Sequence, residues 1–440
     1  MVNAACRIEG CELQNNMFKK FLQIWKIKEL RNSIIFVFVM LFIFRLITHI
    51  PIPGVDAVAL NKLFEGNQLL GLINVFSGGG LKTFSVGMLA VAPYITSSII
   101  FQLLTMVVPK LEELSKEGEW GRAKINQWTR WLSVPLAAIQ GYGMITILRR
   151  ASVNILPNFD AWQMVVALIS ITAGTVFLMW IGELITEKKI GNGISLLIFA
   201  GIVAGLPSAM GTTLMTFDQK EIINMVIFGI LALITIVAVV FITEGQRNIP
   251  VSYARQVRGN KMFGGTNTHL PLRVNQAGVI PIIFAVAIII FPPTIANFFT
   301  HASTVWVAHA AQWVSMMFQN QLVYGVLYFV LVVAFTYFYT AVVFHPDQIS
   351  ENLQKQGGFI PGIRPGRHTA EYLQKITSRI VFTGALFLGI IAVLPLVTAQ
   401  FTGTQSLVIG GTSLLIVVSV VIETVNQINS QLSMRDYEEI

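Results

Sequence analysis

Charged side chains are scarce in this sequence. Asp, Glu, Lys and Arg together make up 12% of its 440 residues, whereas about 25% is usual in a soluble globular protein. Hydrophobic residues make up 54%. This composition excludes an ordinary soluble globule. It predicts a polytopic membrane protein, in which a single helical bundle can take up the whole length of the chain.

Cysteine is nearly absent as well. The two cysteines, Cys6 and Cys11, lie near the start of the chain, so we expect neither a disulfide framework nor a cysteine-based metal site in its body. The six histidines show no spacing that is typical of metal ligands. The sequence therefore predicts no metal site and no cofactor.

Enzymatic signatures are also missing. GGGLKT at 78–83 lacks the lysine that directly follows the last glycine of a phosphate loop, and GNGIS at 191–195 lacks the residue order of a nucleophile elbow. Ionisable residues within the apolar runs are few, among them Arg45, Glu183 and Glu423, and none of these three lies at a bilayer centre. This scarcity disfavours an ion-coupled transporter. The sequence predicts a protein that is not an enzyme and has an apolar centre.

Ten apolar runs are long enough to span a bilayer, which requires about 20 helical residues. If alternate loops lie on opposite sides, most Lys and Arg residues fall on one side, together with both termini. Because positively charged loops stay in the cytoplasm, both termini are expected there. The runs are 33–50, 84–108, 131–148, 162–184, 192–210, 222–243, 275–298, 321–344, 377–397 and 407–427.

The break between the fifth and sixth runs divides the bundle into two sets of five. Since each set has an odd number of spans, the second begins on the opposite side of the membrane, as an inverted repeat requires. We therefore predict an all-α fold with ten transmembrane helices. Its N-terminal half is 33–210, its external loop 211–221 and its C-terminal half 222–428. That loop either lets the halves hinge or forms an ordinary turn.

The ends of the chain lie outside these two halves. Residues 17–32 are predicted to form a basic amphipathic segment on the cytoplasmic side, and residues 429–440 a cytoplasmic tail. Residues 1–16 form an extension to which the sequence assigns no role.

The stretch 66–108 contains irregular elements. Residues 66–80 are apolar, too short to span the bilayer, and end in three glycines, which predicts a half-helix that enters from the outer side and turns back. Residues 84–108 are long enough to cross. Pro93 is expected in the middle of that helix, where the freed backbone groups need protein or water around them. Such backbone belongs beside a cavity, so the sequence predicts a pore.

Branched apolar residues recur at helical spacing in the second and fifth runs. Val91 and Ile95 are four residues apart, as are Ile194 and Ile198, so each pair lies on one helix face. Such side chains, meeting from several helices, would form a hydrophobic constriction. Isoleucines that face lipid or a neighbouring helix would give the same pattern.

Two cytoplasmic loops are unusually long, 244–274 and 345–376. Ordered loops of this length are usually functional. They either form a docking surface for an anionic or protein partner or only supply the positive charge that fixes the topology. Arg255 and Arg258 are among the basic residues of the first loop, and Arg364 and Arg367 lie in the second.

Several stretches resemble, in order and with similar spacing, the SecY family, whose members form the channel of the bacterial protein-translocation complex. The resemblance covers Met17 to about Arg435. The stretches are IPIPGVD at 50–56, NVFSGGGLKTFSVGMLAVAPYITSSIIFQLL at 74–104, EGEWGRAKINQWTRW at 117–131, FLMWIGELITEKKIGNGISLLIFAGIVAG at 177–205, THLPLRVNQAGVIP at 268–281, GGFIPGIRPG at 357–366 and GGTSLLIVV at 410–418.

The resemblance implies an hourglass channel whose two five-helix halves open like a clamshell, with a short re-entrant plug helix and a lateral gate between spans two and seven. The implied pore ring is Val91, Ile95, Ile194, Ile198, Ile283 and Ile416. The implied plug residues are Leu69, Leu70, Leu72, Ile73, Val75, Phe76, Gly78, Gly79 and Gly80. The implied polar residues of the gate are Thr96, Ser97, Gln102 and Asn275.

The resemblance also implies partners and a location. Arg364 matches an arginine that the family uses toward the SecA motor and the ribosome, and Arg255, Arg258 and Arg367 lie in the same two docking loops. Other implied partners are SecE, SecG, signal peptides, nascent chains and the lipid bilayer, with no sequence-specific nucleic acid. The implied location is the bacterial inner membrane, with both termini cytoplasmic.

These observations predict a passive protein-conducting channel. Unfolded secretory polypeptides would cross the membrane through the pore, hydrophobic segments would leave sideways into lipid, and a partner motor or ribosome would supply the work. An inverted-repeat secondary transporter of a small solute is the alternative, but it needs a compact polar site at the midplane that the sequence does not show. An intramembrane enzyme would need a buried nucleophile with its base, which is also missing.

Overall fold

The computed structural model describes residues 25–56, 59–60, 74, 77–149, 160–215, 222–253, 256–258, 261–263, 267–299, 304–402 and 406–436. Its helices are α1 (Lys28–Ile47), α2 (Ala92–Val107), α3 (Pro109–Lys116), α4 (Glu119–Arg149), α5 (Ala161–Glu187), α6 (Gly193–Met215), α7 (Ile222–Glu244), α8 (Ile280–Phe299), α9 (Val305–Gln319), α10 (Gln321–Val343), α11 (Pro346–Lys355), α12 (Arg367–Thr402) and α13 (Ser406–Asp436). Its strands are β1 (Gln246–Tyr253), β2 (Gln256–Arg258), β3 (Lys261–Phe263), β4 (Asn267–Arg273) and β5 (Gly358–Phe359).

A helix covers most of each predicted apolar run, because continuous apolar side chains are stable in lipid only when their backbone groups are bonded internally. Within the described residues, six helices are long and apolar enough to cross a membrane, or up to seven if the bent pair α2 and α3 counts as one. Shorter apolar helices cover Gly193–Pro207, Gly229–Glu244 and Ile280–Ile290. The chain is therefore a mostly helical, multi-pass membrane protein.

The prediction of an irregular spanning helix over 84–108, with Pro93 in its middle, was wrong for its first part. Residues 77–90 form turns and a short bridge, and α2 begins only at Ala92. Phe84 and Ala90 have φ angles of 45° and 46°, which a right-handed helix cannot contain. Pro93 therefore lies in the first turn of α2, where its missing N–H costs no hydrogen bond.

The predicted loop after that span is mostly helical. Helices α2 and α3 meet at an angle of 102°, and Val108 between them has an extended backbone, with φ −100° and ψ 110°. The bend has a local cause, because the residue before a proline avoids the helical region, and Pro109 follows Val108. Helix α3 thus turns sharply away from the direction of α2.

The turns before α2 are bound to the end of α1. Arg45 Nη1 donates to the carbonyl of Gly78 at 2.6 Å, and Thr83 Oγ1 donates to the carbonyl of Thr48 at 2.9 Å. Phe84 is buried with its neighbours against α4 and α5 in a second apolar cluster. These contacts hold the irregular backbone in a defined place beside the first helix.

The two long loops form one small sheet. Strands β4 and β5 both pair antiparallel with β1, in the order β4–β1–β5. The buried side chains of Ile249 and Val251 alternate with exposed ones along β1 and pack on Leu373 and Ile376 of α12. Because β1 and β5 come from different loops, the sheet joins 244–274 to 345–376.

The main core is a single apolar cluster to which most of the long helices contribute. Helix α2 contacts α8, and α6 contacts α13, so the cluster joins the first and second sets of helices. Close backbone approaches depend on glycine: a Cβ at Gly193 would clash with the carbonyl oxygen of Gly182 on α5, and one at Gly174 would clash with that of Val86 in the turns before α2.

Candidate functional site

The six residues predicted for the pore ring share one apolar cluster. Ile194 is partly buried against it, and the other five are buried members of it. They come from four places: the start of α2, the first turns of α6, the start of α8 and the middle of α13. The N–H of Ile95 donates to the carbonyl of Val91 at 3.0 Å, so these two follow each other around the first turn of α2.

Two cavities share residues of the predicted ring. One has a volume of about 450 Å³ and is lined by Ile95 and Ile283 together with polar residues of α4, α5 and α6. The other, of about 190 Å³, is lined by Ile95 and Ile283 together with mostly apolar residues, among them Met88, Ile198 and Ile290. Ile95 and Ile283 therefore lie where a polar cavity and an apolar cavity adjoin. Branched apolar side chains at such a junction form a barrier to water and ions.

An ion pair lies in the wall of the polar cavity. Arg130 Nε on α4 donates to Glu183 Oε1 on α5 at 2.6 Å, and the Glu183 side chain is only 16% exposed. Burying a carboxylate is costly unless a cation compensates it. The pair thus keeps this wall polar with its two charges balanced. The sequence showed Glu183 near a span end but gave no sign of its partner, which is 53 residues away.

The beginning of α6 is fixed by one threonine. Thr186 Oγ1 donates to the carbonyl of Gly182 and accepts a hydrogen bond from the N–H of Gly193, both at 2.9 Å. The carboxamide of Asn192 accepts a hydrogen bond from the N–H of Ile194 at 3.1 Å. These contacts set the direction in which α6 leaves α5 and therefore place Ile194 and the residues that follow it. Sequence reasoning had not singled out Thr186 or Asn192.

Two of the predicted gate residues bond within the first set of helices. The hydroxyl of Ser97 donates to the carbonyl of Thr129 on α4 at 2.7 Å, and that of Thr96 donates to the carbonyl of Ala92 one turn earlier at 3.1 Å. Ser97 thus fixes α2 to α4. The prediction that these hydroxyls hold the gate shut remains a prediction.

The other two predicted gate residues, Gln102 and Asn275, have amide side chains whose nitrogen donates a hydrogen bond but whose oxygen has no partner among the described residues. Gln102 Nε2 donates to Ser98 Oγ at 3.2 Å, and Asn275 Nδ2 donates to the carbonyl of Gly278 at 3.2 Å. Gln102 Oε1 and Asn275 Oδ1 are buried, and neither has a hydrogen-bond partner among the described residues. Helices α2 and α8 are in contact, so a gate between them would have acceptors available on both sides.

Of the residues named for the plug, only Gly78, Gly79 and Gly80 belong to the described part of the chain. Gly78 and Gly79 have φ angles of 66° and 86°, a conformation that favours glycine. A Cβ at Gly78 would lie 2.9 Å from Phe44 Cζ and 3.1 Å from Gly201 Cα, and one at Gly80 would lie 2.9 Å from the carbonyl oxygen of Gly87. The predicted plug residues outside the described residues are Leu69, Leu70, Leu72, Ile73, Val75 and Phe76.

The arginines predicted for docking fall into two groups. Arg364 is exposed in the turns between β5 and α12, and its carbonyl accepts a hydrogen bond from Thr369 Oγ1 at 2.9 Å. Arg367 is also exposed and pairs with Glu371 at 3.1 Å. The same turns are anchored to α11, because Ser350 Oγ donates to the carbonyl of Gly366 at 2.6 Å. In the first loop, the backbone of Arg258 pairs with Lys261 across β2 and β3, and Arg255 lies outside the described residues.

Comparison with protein families and curated relatives gives a consistent result. The SecY family model matches residues 85–425. A protein translocase subunit SecY from Streptomyces coelicolor is 44% identical over 96% of this chain and 99% of the relative. Subunits of the same name from Halalkalibacterium halodurans and Mycobacterium tuberculosis are 43% and 42% identical, again over 96% and 99%.

Solved structures share the fold at low sequence identity. A structure described as a protein-conducting channel superposes with a TM-score of 0.61 at 16% identity, covering 90% of this chain and 91% of that one. A SecY structure whose plug domain is described as stabilising the closed state gives 0.60 at 18%, with the same coverage. A channel from a canine ribosome–channel complex of the endoplasmic reticulum gives 0.59 at 16%, also with that coverage.

Proposed function

Because this chain belongs to the SecY family of protein translocase subunits, and is thus a protein-conducting channel, we propose that unfolded polypeptides cross it where its two cavities meet. The observation that carries this proposal is that Ile95 and Ile283 line both the polar and the apolar cavity. A chain that passes from one cavity to the other must displace these side chains. When no chain is present, their contact excludes water and ions.

We propose the same role for the whole ring, which adds Val91, Ile194, Ile198 and Ile416. Their common membership of one apolar cluster supports this assignment. An apolar ring binds a passing polypeptide without selecting its sequence, because dispersion contacts are not directional. Binding that does not depend on sequence suits a channel whose substrates have many different sequences.

The proposed architecture is a bundle of ten transmembrane helices in two halves, 33–210 and 222–428, related as an inverted repeat and joined by an external hinge at 211–221. Segment 66–80 is proposed as the plug. The helices found within each predicted apolar run support the span assignment. The charge bias supports cytoplasmic termini, and the bacterial relatives support a location in the inner membrane.

We propose that hydrophobic segments leave the channel sideways between α2 and α8. Two observations support this exit: the contact of these helices, and the buried amide oxygens of Gln102 and Asn275, for which the described residues provide no partner. Such oxygens are costly while they lack a partner, so separating the helices and admitting water would satisfy them. The closed and open arrangements would then differ little in free energy.

The proposed partners bind on the cytoplasmic sheet. Arg364 and Arg367 are exposed on turns that β5 and α11 hold rigid, which suits a surface for SecA or the ribosome, and Arg255 and Arg258 would extend it. A relative within a ribosome–channel complex supports the second partner. No catalytic family is indicated for this subunit, so the work of transport is assigned to these partners. SecE and SecG are proposed to complete the membrane complex.

Reconstitution tests the proposed function. The full chain, assembled with SecE and SecG in vesicles, is expected to move a preprotein inward when SecA and ATP are supplied outside. Protease protection of the preprotein measures its entry, and vesicles that lack the chain serve as the control. Flux of a small solute without a motor, together with no protected preprotein, would instead support a secondary transporter and overturn the proposal.

A further inference from the structure

Helix α9 is an element that the ten apolar runs do not account for. It covers Val305–Gln319, between α8 and α10, where the span assignment leaves an outer loop. Its 15 residues are fewer than the roughly 20 that a spanning helix needs. In the predicted topology α8 and α10 cross the membrane in opposite directions, so α9 begins and ends on the outer side.

One side of α9 packs on the rest of the protein. Ala311 is 6% exposed, Phe318 packs against the main apolar cluster, and the helix contacts both α8 and α10. The opposite side is exposed although much of it is apolar, with Trp306 79% and Trp313 66% exposed. Exposed apolar surface that forms a continuous patch marks an interaction surface.

The exposed side consists of two strips of residues at helical spacing, i, i+4, i+7 and i+11. The first, the apolar strip, is Trp306, Ala310, Trp313 and Met317. The second, the mixed strip, is Val305, His309, Gln312 and Met316. Because the two polar side chains lie on the same strip, the exposed side of α9 has an apolar edge and a more polar edge.

The apolar strip continues into the surface of α10. Its last member, Met317, lines an apolar groove of about 390 Å³ together with five residues of α10: Leu322, Val323, Val326, Leu327 and Val330. Leu322 and Val326 are 68% and 65% exposed, and they belong to a helix long and apolar enough to cross a membrane. Exposed apolar side chains on such a helix face lipid. The strip thus extends a surface that lipid already covers.

The residue types of α9 suit the boundary between lipid and water. The helix contains no Asp, Glu, Lys or Arg, so inserting its apolar strip buries no charge. Tryptophan is enriched at this boundary, where its ring contacts acyl chains and its N–H reaches a polar partner. When the apolar strip faces lipid, His309 and Gln312 lie on the side of the headgroups and water.

We propose that α9 lies in the outer interface of the membrane, with its apolar strip in the lipid, and anchors the outer end of α8 there. This inference rests on the span assignment of the proposed function. A helix of this kind lies in the plane of the interface, with its apolar face buried about 5–10 Å into the boundary between headgroups and acyl chains. Interfacial helices are commonly rich in Lys and Arg. Since α9 has neither, its depth should not depend on anionic lipid.

Spin labelling tests the position of α9. Cys6 and Cys11 are changed to serine, and four single-cysteine variants of the full chain are labelled and assembled with SecE and SecG in vesicles: Trp306→Cys, His309→Cys, Gln312→Cys and Trp313→Cys. Collision rates with oxygen, which concentrates in lipid, and with a water-soluble nickel complex measure the depth of each label. The ratio of oxygen to nickel collisions is expected to be severalfold higher for the two apolar-strip variants than for the two mixed-strip variants. Neutral and anionic vesicles should give the same result.

The native tryptophans provide a second measurement without a label. Trp306→Phe with Trp313→Phe removes two of the eight tryptophans, so the fluorescence that this variant loses relative to wild type comes from those two. Lipids brominated near the headgroup are expected to quench that fluorescence more strongly than lipids brominated at the end of the acyl chain, and more strongly than a water-soluble quencher.

Three results are decisive. Equal access of the nickel complex to all four labels would place α9 in water and overturn the proposal. Protection of the apolar-strip labels from both reagents would mean that a protein covers the strip, which overturns the proposal as well. If the apolar strip of the wild-type complex is in lipid but the same vesicles protect no preprotein, the proposed function fails, and the interfacial position of α9 stands.

Discussion

Ile283 is one of the two predicted ring residues that line both cavities, so its position is the most direct evidence for a barrier to water and ions between them. It lies near the start of α8, is 5% exposed, and lines the cavities on both sides of the ring. Ile289, further along the same helix, is 1% exposed and belongs to the same cluster but lines neither cavity. The two isoleucines are thus both buried and lie on the same helix, but only Ile283 lines the cavities of the proposed pore.

Ile283→Asn is expected to let ions through the resting channel, because an amide at the junction holds water where the isoleucine excluded it. Both Ile283→Asn and Ile289→Asn should lose about 1–3 kcal/mol of stability, since each buries an amide. Conductance of the reconstituted complex in planar bilayers measures the leak, and thermal unfolding in detergent measures the stability. A leak of equal size in Ile289→Asn would mean that general loosening, and not the ring, controls permeation.

Arg364 permits a second test at the level of one side chain. Arg364→Glu is expected to slow SecA-driven translocation at least about tenfold, because an arginine central to an interface contributes about 2 kcal/mol or more to binding. Membrane insertion of the subunit itself should stay normal. Protected preprotein per minute is the measurement.

Lys355→Glu is the matched charge reversal for that test. Lys355 is the last residue of α11 and pairs with Glu351 on the same helix, outside the turns that carry Arg364. This variant is expected to translocate at nearly the wild-type rate. If both reversals slow translocation equally, the effect comes from the overall charge of the cytoplasmic surface, and the docking role of Arg364 is lost.

Some residue positions could be predicted from the sequence, whereas side-chain contacts between helices could not. The resemblance assigned Ile283 and Ile416 to the ring, and the structure gathers them with the others, although nothing yet tests their role. The partner of Glu183 could not be predicted, because Arg130 is on another helix and pairing over such a separation depends on how the helices pack. The bonding of Ser97 to α4 could not be predicted for the same reason.

At the scale of elements, the contact between α5 and α6 determines where two of the six predicted ring residues, Ile194 and Ile198, lie. The N–H and Cα of Gly193 face the last turns of α5, and a Cβ there would lie 1.8 Å from the carbonyl oxygen of Gly182 and 2.9 Å from Thr186 Oγ1. Backbone at that distance cannot move aside without shifting one of the helices. Gly205, on the same helix α6, has open space around its Cβ position.

Gly193→Ala is therefore expected to destabilise the subunit by about 1–3 kcal/mol, the usual cost of overpacking, and to displace Ile194 and Ile198 from the ring. Gly205→Ala should be neutral or slightly stabilising, because alanine favours helix more than glycine does. Thermal unfolding of the purified complex compares the two. Equal stability of both variants would show that α5 and α6 can separate freely, contrary to the observed packing.

The boundaries of the helices could be predicted only where hydropathy marks them. Hydropathy predicted the helices because the bilayer sets their length. It misplaced the start of α2, since residues 84–91 are apolar enough to continue the helix and only their left-handed φ angles at Phe84 and Ala90 reveal the turns. The sheet β4–β1–β5 was not predicted, because pairing between two distant loops has no local signal.

At the scale of the whole molecule, the two sets of helices are joined unevenly. Helices α6 and α13 pack together on one side, and Gln431 Nε2 at the end of α13 donates to the carbonyl of Lys189, before α6, at 2.6 Å. By contrast, the amide oxygens of Gln102 on α2 and of Asn275, which precedes α8, have no hydrogen-bond partner among the described residues. We therefore expect the α2–α8 contact to separate more easily, as the proposed lateral exit requires.

A cysteine pair across that contact tests whether the whole molecule opens there. Thr96 on α2 and Ala287 on α8 line the same apolar cavity. With Cys6 and Cys11 changed to serine, Thr96→Cys with Ala287→Cys is expected to crosslink efficiently in the resting complex. The yield should fall severalfold when a signal peptide is bound, because a helix inserted between α2 and α8 separates the two sulfurs beyond disulfide range.

A second pair serves as the control because it lies within one set of helices. Ala138 on α4 and Thr172 on α5 line one groove, and cysteines there should crosslink equally with and without the peptide. Crosslinking α2 to α8 before substrate is added should also stop hydrophobic segments from reaching lipid, since the exit can no longer widen. If the Thr96–Ala287 yield is unchanged by signal peptide while that peptide is bound, the segment leaves by another route, and opening between α2 and α8 is excluded.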